Sequence, residues 1–70
     1  MTPPTQTLCI QHESGTFYTT ATDVNTIVNT IQGGGLLDVW WFASTGQRFS
    51  ETMWFNPEAL HSVRTERDDG

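Results

Sequence analysis

Aromatic residues are concentrated in one short stretch of this 70-residue chain. Six of the eight aromatic side chains lie within sixteen positions, namely Trp40, Trp41, Phe42, Phe49, Trp54 and Phe55. Consecutive side chains of a β-strand point to opposite faces of its sheet, so Trp40 and Trp41 cannot lie on the same face. The stretch therefore predicts one face packed on a core and a second face that contacts another layer, another subunit or a ligand.

The length of the chain predicts a single domain near the lower limit of independent folding. The one cysteine, Cys9, excludes an intramolecular disulfide, and no Cys and His residues have the spacing of a zinc site. We expect no metal and no cofactor. Self-association is then the remaining way to stabilise so small a domain, and we expect a homo-oligomer.

The charge balance argues against nucleic acid as a partner. The formal net charge is −5, from eight acidic residues against three arginines, and the chain contains no lysine. Proteins that bind nucleic acids usually carry a basic surface, because contacts to phosphates supply most of the affinity. The acidic residues are also scattered, which gives a DNA-mimicking protein little support.

The sequence predicts neither a signal peptide at its N-terminus nor a membrane span. Residues 1–6 lack the basic start and apolar run of a signal peptide, and no stretch reaches the eighteen apolar residues of a membrane span. We expect a soluble, cytoplasmic protein with no membrane contact, and a free thiol agrees with a reducing compartment. Residues 1–6 are predicted to form a flexible arm, residues 7–64 one compact domain and residues 65–70 a frayed charged tail.

The first half of the chain predicts a β-hairpin followed by a helix. Residues 7–12 and 16–20 alternate or are rich in β-branched and aromatic residues, and Gly15 between them suits a tight turn. The spacing of Val24, Ile27, Val28 and Ile31 predicts a helix over about 21–32 with these four side chains on one stripe. Thr20 with Asp23, or Thr22 alone, can cap its start, and the glycines at 33–35 end it.

The aromatic stretch predicts a second hairpin, with strands over 36–44 and 48–56. A two-residue loop would pair Phe42 with Phe49, whereas a three-residue loop with Gly46 in a bulge position would pair Trp41 with Phe49. The sequence leaves both registers open. In either register one face of the first strand displays Trp41 and the opposite face displays Trp40.

The last elements complete a predicted α+β domain of two layers. Asn56 and Pro57 suit the cap and first position of a single helical turn, and residues 60–64 suit a short edge strand with Val63 buried. The order is β-β-α-β-β, followed by the turn and a fifth strand. We expect one helix to pack on a four- or five-stranded, mainly antiparallel sheet.

Residues that could carry catalysis are present but not arranged for it in the sequence. His12 is close to Ser14, yet we expect hairpin neighbours to point to different faces, and a serine nucleophile needs a histidine that also contacts a carboxylate. Cys9 is expected to be buried, because free cysteine usually packs in the interior. His61 is expected to be an ordinary strand residue, and Asp38, which is separated from the other carboxylates, a surface charge.

The second face of the aromatic hairpin is the best candidate for a functional surface. Interfaces are enriched in Trp, Phe, Met and Arg and depleted in Lys, which is the local composition here. The predicted interface or ligand-stacking residues are Trp40, Phe42, Arg48, Met53 and Trp54.

Three functions are compatible with this surface. The first is a non-enzymatic, self-associating module that acts on a protein partner, as small acidic accessory or regulatory proteins do, including those encoded by bacteriophages. The alternative is an oligomer that binds a ring-containing small molecule between its subunits. An enzyme is the third possibility.

Overall fold

The computed structural model describes residues 5–65 as five strands and one helix. The strands are β1 (Gln6–His12), β2 (Gly15–Ala21), β3 (Leu36–Phe42), β4 (Arg48–Trp54) and β5 (Leu60–Thr65), and the helix is α1 (Val24–Gln32). The predicted α+β class and element order are confirmed. Gln6 and Thr65 belong to strands, so the strands extend one residue beyond the predicted domain at each end. The rest of the predicted arm and tail lies largely outside the described residues.

The five strands form one antiparallel sheet in the order β4-β3-β2-β1-β5. The first hairpin pairs all seven residues of β1 with β2, and Gly15 enters β2 with a φ of 140° that favours glycine. The last strand returns to pair with β1, and its register shifts between Gln11 and His12. The two hairpins therefore lie side by side, and β4 and β5 form the two edges of the sheet.

The register of the second hairpin follows from its turn. The Ala43 N–H donates to the Gln47 carbonyl at 2.9 Å, and the Gly46 N–H donates to the Ala43 carbonyl at 2.8 Å. Gly46 has a φ of 91°, as the glycine of a three-residue loop with a bulge requires. Of the two registers that the sequence allowed, the structure shows the one that pairs Trp41 with Phe49.

The helix begins later than the sequence predicted, at Val24, because Asp23 is the residue that caps it. Asp23 has an extended backbone, and its carboxylate accepts a hydrogen bond from the Thr26 backbone N–H at 2.8 Å. The helix ends at the predicted glycines, where the Gly35 N–H donates to the Thr30 carbonyl at 2.9 Å and Gly34 adopts a φ of 79°.

Asp23 should make part of the domain's stability depend on acid pH. The Thr26 backbone N–H, and then the Thr26 hydroxyl, hold the pKa of Asp23 below its ordinary value. A lowered pKa stabilises the fold above the pKa of the unfolded chain, and this contribution is lost as the pH falls below about 4. We expect wild type to melt at a higher temperature than Asp23→Asn at pH 7, and the gap to shrink in acid. A gap that stays constant in melting curves across this pH range would contradict the assignment.

The core lies between α1 and one face of the sheet, which we call the helix face. Ile27 and Ile31 are buried on it, while Val24 and Val28 of the same predicted stripe are half-buried. The sheet and the segment after β4 contribute Leu8, Ile10, Phe17, Leu37, Val39 and Phe55 to the same cluster. The nine-residue helix covers only part of this face. Aromatic side chains cover the end of the sheet near the two hairpin turns.

The segment after β4 forms the predicted single turn, a 3₁₀ turn over Pro57–Ala59. The Asn56 side chain accepts a hydrogen bond from the Glu58 N–H at 3.1 Å, which confirms its predicted capping role. At this turn the chain changes direction, so that β5 can pair with β1. Phe55 enters the core just before it, and β5 begins just after it.

Candidate binding surface

The face of β3 and β4 that is turned away from α1 exposes large apolar side chains. We call it the open face, and define it by Leu36, Trp40, Phe42, Arg48 and Trp54. Alternation along the two paired strands places these even-numbered residues on one side. Leu36 is 64% exposed, Phe42 55% and Trp54 53%. A group of exposed apolar side chains this large on a small domain is typical of an interaction surface.

Trp40 is held near the middle of the sheet by contacts from both neighbouring strands. The Tyr18 ring of β2 stacks on it, with 6.2 Å between the centroids and 25° between the planes. The Arg48 guanidinium of β4 lies 4.9 Å from the Trp40 ring centroid, which is a cation–π contact. Phe42 meets the Tyr18 ring edge-on at 6.2 Å. These contacts leave Trp40 half-buried, while Arg48, whose guanidinium lies over the Trp40 ring, remains exposed.

Four of the five predicted site residues share the open face, and the fifth does not. Met53 lies on the helix face, where it pairs with Leu37 and is half-buried against the core. The reason is the strict alternation of β4, which places Met53 on the side opposite Trp54. The structure also separates the two tryptophans on the open face, because Trp40 is packed between neighbours and Trp54 is exposed. That these side chains contact a partner stays a prediction.

Leu36, a member of the open face, and Tyr18, which contacts this face, were missing from the predicted site. Alternation along β3 places Leu36 on the same face as Trp40, and it lies exposed beside Trp54 at the end of the hairpin. Tyr18 joins the surface through the pairing of β2 with β3. No local pattern in the sequence signals that pairing, because it joins two separate hairpins.

A polar contact divides the open face into two apolar ends. The Thr52 hydroxyl donates a hydrogen bond to the Asp38 carboxylate across the β3–β4 pair. One end holds Leu36 and Trp54, and the other holds Trp40, Phe42 and Arg48. Any surface that binds both ends must therefore span the length of the hairpin.

A cleft opens where β2 and β3 diverge beyond their contact at Tyr18 and Trp40. The Thr19 hydroxyl bridges the two strands by donating to the Asp38 carbonyl at 2.7 Å. The cleft has a volume of about 680 Å³, and threonine side chains of β2 and α1 line much of it together with Trp40 and Arg48. It is open to solvent on one side and touches the edge of the open face.

The contact between His12 and Ser14 corrects one expectation from the sequence. These side chains meet, with 2.8 Å between Nδ1 and the hydroxyl. The Ser14 backbone N–H also donates to Nδ1 at 3.1 Å, so Nδ1 is an acceptor and Nε2 carries the proton that is donated to the Asn56 carbonyl at 3.2 Å. A backbone carbonyl thus stands where a catalytic relay has a carboxylate. The arrangement ties the first turn to the segment after β4.

A second aromatic group lies on the helix face beyond the end of α1. Trp41 stacks on Phe49 with 5.9 Å between the centroids, and Phe17 meets both Trp41 and Phe55 edge-on. Phe55 is 1% exposed and Phe49 is 39% exposed. This group continues the core, and only its outer ring is open to solvent. The face of the aromatic stretch that was predicted to pack on a core is therefore this one, and the core belongs to the same chain.

Other predicted chemistry can also be placed. Cys9 is 2% exposed, as expected for a packing residue. Within residues 5–65, no three His, Cys, Asp or Glu side chains come together as a metal site would require. Within the same residues, no helix is long and apolar enough to cross a membrane.

Comparison with known proteins does not extend this picture. The chain matches no protein-family model, no curated protein and no solved structure. The function has to be inferred from the residues and from the geometry of the open face.

Proposed function

We propose that the protein is a non-enzymatic binding module that self-associates and docks a protein partner on its open face. The observation that carries this proposal is the exposure of Leu36, Phe42 and Trp54 on the side of the sheet opposite α1. Burying such side chains against a partner removes apolar surface from water, at about 25 cal/mol for each Å². The local composition, rich in aromatic residues with one arginine and no lysine, is that of a protein interface.

The shape of the surface favours a protein over a small ligand. The open face is the side of a β-sheet, and the Trp40 ring already contacts Tyr18 and Arg48. Small-molecule sites are usually concave and enclose most of their ligand. A partner protein can instead cover both apolar ends of the hairpin and the polar Asp38–Thr52 contact between them.

The charges of the domain favour a partner other than nucleic acid. Arg48 is the only cationic side chain in the first 60 residues, apart from any charge on histidine. Its guanidinium lies over Trp40, so the open face presents a single positive charge, while the chain as a whole is acidic. A phosphate backbone would meet net repulsion. A protein partner with an apolar surface and one carboxylate near Arg48 fits the open face better.

Truncating Phe42 should separate binding on the open face from the stability of the fold. Peptides selected by display against the wild-type domain should lose at least tenfold in affinity for Phe42→Ala, because exposed aromatic anchors supply about 2 kcal/mol or more of binding energy. Asn25→Ala, on the exposed outer side of α1, is the matched control and should bind the same peptides unchanged. Isothermal titration calorimetry measures both. Peptides that bind both variants equally would overturn the proposal.

A second candidate function rests on the cleft between β2 and β3. Its volume of about 680 Å³ suits a drug-sized molecule, and Trp40 and Arg48 could contact a ring with polar groups. The ring-binding alternative predicted from the sequence placed its ligand between subunits, whereas this cleft lies within one chain. A small aromatic ligand whose binding is weakened by Thr30→Val, a change inside the cleft and away from the open face, would favour it. Binding unaffected by Thr30→Val would argue against the cleft.

A further inference from the structure

The strand β4 forms one edge of the sheet, and its outer backbone groups have no strand beside them in residues 5–65. The hydrogen bond from the Ala43 N–H to the Gln47 carbonyl identifies the bonded positions of the hairpin. Because bonded and non-bonded pairs alternate in an antiparallel ladder, Phe49, Glu51 and Met53 turn their N–H and C=O groups toward β3. The positions that turn these groups outward are 48, 50, 52 and 54.

This edge lacks most of the features that protect sheet edges from pairing. Exposed edges are commonly blocked by charged side chains, especially lysine, by proline, by a bulge or by short length, and of these β4 has only the charges of Arg48 and Glu51. Strand β4 has seven residues, pairs with β3 without any shift in register, and contains neither lysine nor proline. Six of its seven residues are exposed, and Met53 is half-buried. The opposite edge, β5, is shorter and pairs through an irregular register.

The sequence of β4 complements itself when it is reversed. In the order Arg-Phe-Ser-Glu-Thr-Met-Trp, the residues equidistant from Glu51 match in chemistry. Arg48 corresponds to Trp54, which is a cation–π combination, and Phe49 corresponds to Met53, which is a sulfur–aromatic combination. Ser50 and Thr52 are both small hydroxyl residues. Cross-strand partners of this kind stabilise a sheet when they lie directly opposite each other.

We propose that β4 pairs antiparallel with β4 of a second copy of this chain, about a two-fold axis at Glu51. The axis stands perpendicular to the sheet, so each side chain stays on its own face and the two sheets become one. Ser50 then exchanges backbone hydrogen bonds with Thr52 of the second copy, and Arg48 with Trp54. The outward N–H and C=O groups of β4 are thereby satisfied in both directions.

Neighbouring registers that keep the same symmetry are less complementary. An axis at Ser50 would set Phe49 opposite Glu51, and an axis at Thr52 would set Glu51 opposite Met53. Both place a carboxylate against an apolar side chain, which removes water from the charge without giving it a partner. With the axis at Glu51 only one pair is unfavourable, because the two Glu51 carboxylates face each other at the centre and repel.

The paired edge also joins the two apolar ends of the open face. In one copy Leu36 and Trp54 lie at one end and Phe42 and Arg48 at the other. Antiparallel pairing places Trp54 of the second copy beside Arg48, so the row from Phe42 continues across the junction to Leu36 of the second copy. The inference rests on the proposed function, since it specifies how the module self-associates. It leaves the open faces of both copies on one side and free to bind a partner.

The first test blocks the edge without disturbing the hairpin. The Ser50 N–H points away from β3, so Ser50→Pro removes an outward donor and leaves the β3–β4 hydrogen bonds in place. We expect wild type to be a dimer by light scattering during size-exclusion chromatography, and Ser50→Pro to dissociate at least tenfold more readily. Ser50→Ala is the control and should remain a dimer. Glu51→Gln removes the facing charges and should tighten the dimer roughly 2- to 5-fold.

The second test determines the register of the β4–β4 pairing directly. At a non-bonded antiparallel pair the two Cα atoms are about 4.5 Å apart, within the range of a disulfide. Glu51→Cys should therefore form a disulfide-linked dimer on mild oxidation, at concentrations where Ser50→Cys, one position from the axis, does not. Cys9 is buried and should not compete. Faster cross-linking of Ser50→Cys than of Glu51→Cys would overturn the register.

The outcomes distinguish this inference from the proposed function. A wild type that stays monomeric at millimolar concentration, or a Ser50→Pro variant that dimerises as tightly as wild type, would overturn the edge pairing. Circular dichroism of Ser50→Pro establishes that the variant is folded, and the cysteine variants test the pairing independently. Peptides that bind the wild-type domain and lose affinity for Phe42→Ala would still support docking on the open face after either result.

Discussion

Replacing Ile27 with Asp should unfold the domain at room temperature. Ile27 is 3% exposed, in the middle of α1 and against the core strands. An ionised carboxylate at this position would have no partner and would lose several kcal/mol of solvation free energy, in addition to the lost apolar contacts. A domain of this size has a total stability of roughly 4–10 kcal/mol. Far-UV circular dichroism during thermal unfolding measures the effect.

The matched control for this prediction is Asn29→Asp, two residues further along α1. Asn29 is exposed on the outer side of the helix, so the same new charge stays in water. Its one expected penalty, about 1 kcal/mol or less, comes from a negative charge near the C-terminal end of the helix dipole. If the two variants melted at the same temperature, the orientation of the helix on the sheet would be wrong.

Phe55→Ala should be the most damaging truncation of an aromatic residue. Phe55 is 1% exposed, and its ring meets Phe17 at 5.2 Å and His12 at 5.4 Å. Removing a buried phenylalanine side chain usually destabilises a protein by about 3–5 kcal/mol, because apolar contacts are lost and a cavity remains. We expect a loss of this size in urea unfolding, which would remove much of the stability of so small a domain.

Trp54→Ala, at the neighbouring position, tests whether burial causes this effect. Trp54 has a larger side chain than Phe55, but it lies on the open face and is 53% exposed. Its truncation should lower the stability of the monomer by about 1 kcal/mol or less when measured at low protein concentration. The same variant should weaken self-association, because Trp54 is the proposed partner of Arg48 across the paired edges. Equal losses of monomer stability from the two truncations would contradict the assignment of the faces.

The edge pairing and the open face would serve one assembly. Joining two copies through β4 adds backbone hydrogen bonds but buries little of the rings on the open face. The exposed side chains would remain available, in a surface about twice as wide across the strands as that of one copy. A partner that contacts both copies would then bind more tightly than one that contacts a single open face, since the second contact becomes intramolecular.

Local structure was largely predictable from the sequence. The stripe of Val24, Ile27, Val28 and Ile31 predicts a helix with one apolar side, and Asn56 before Pro57 predicts the turn that follows β4. Alternation along β3 predicts that Trp40 and Trp41 lie on opposite faces. These features depend on the conformations of residues close together in the chain and on side-chain periodicity, which the sequence displays directly.

The sequence determined the start of α1 and the register of the second hairpin less fully. Several residues before Val24 can cap a helix, and only the backbone shows that Asp23 does so. The residues around Gly46 suit two loop lengths, so the pairing of Trp41 with Phe49 depended on the turn that forms.

Only the tertiary structure decided which aromatic residues are core and which remain exposed. The sequence requires Trp40, Trp41 and Phe42 to divide between two faces, but it does not show which face α1 covers or which strand lies beside β3. The pairing of Tyr18 with Trp40 joins two hairpins, and it leaves Trp40 packed while Trp54, at the outer edge, is exposed. Such contacts link residues far apart in the chain, and their free energy depends on how all the strands pack together, which no local pattern encodes.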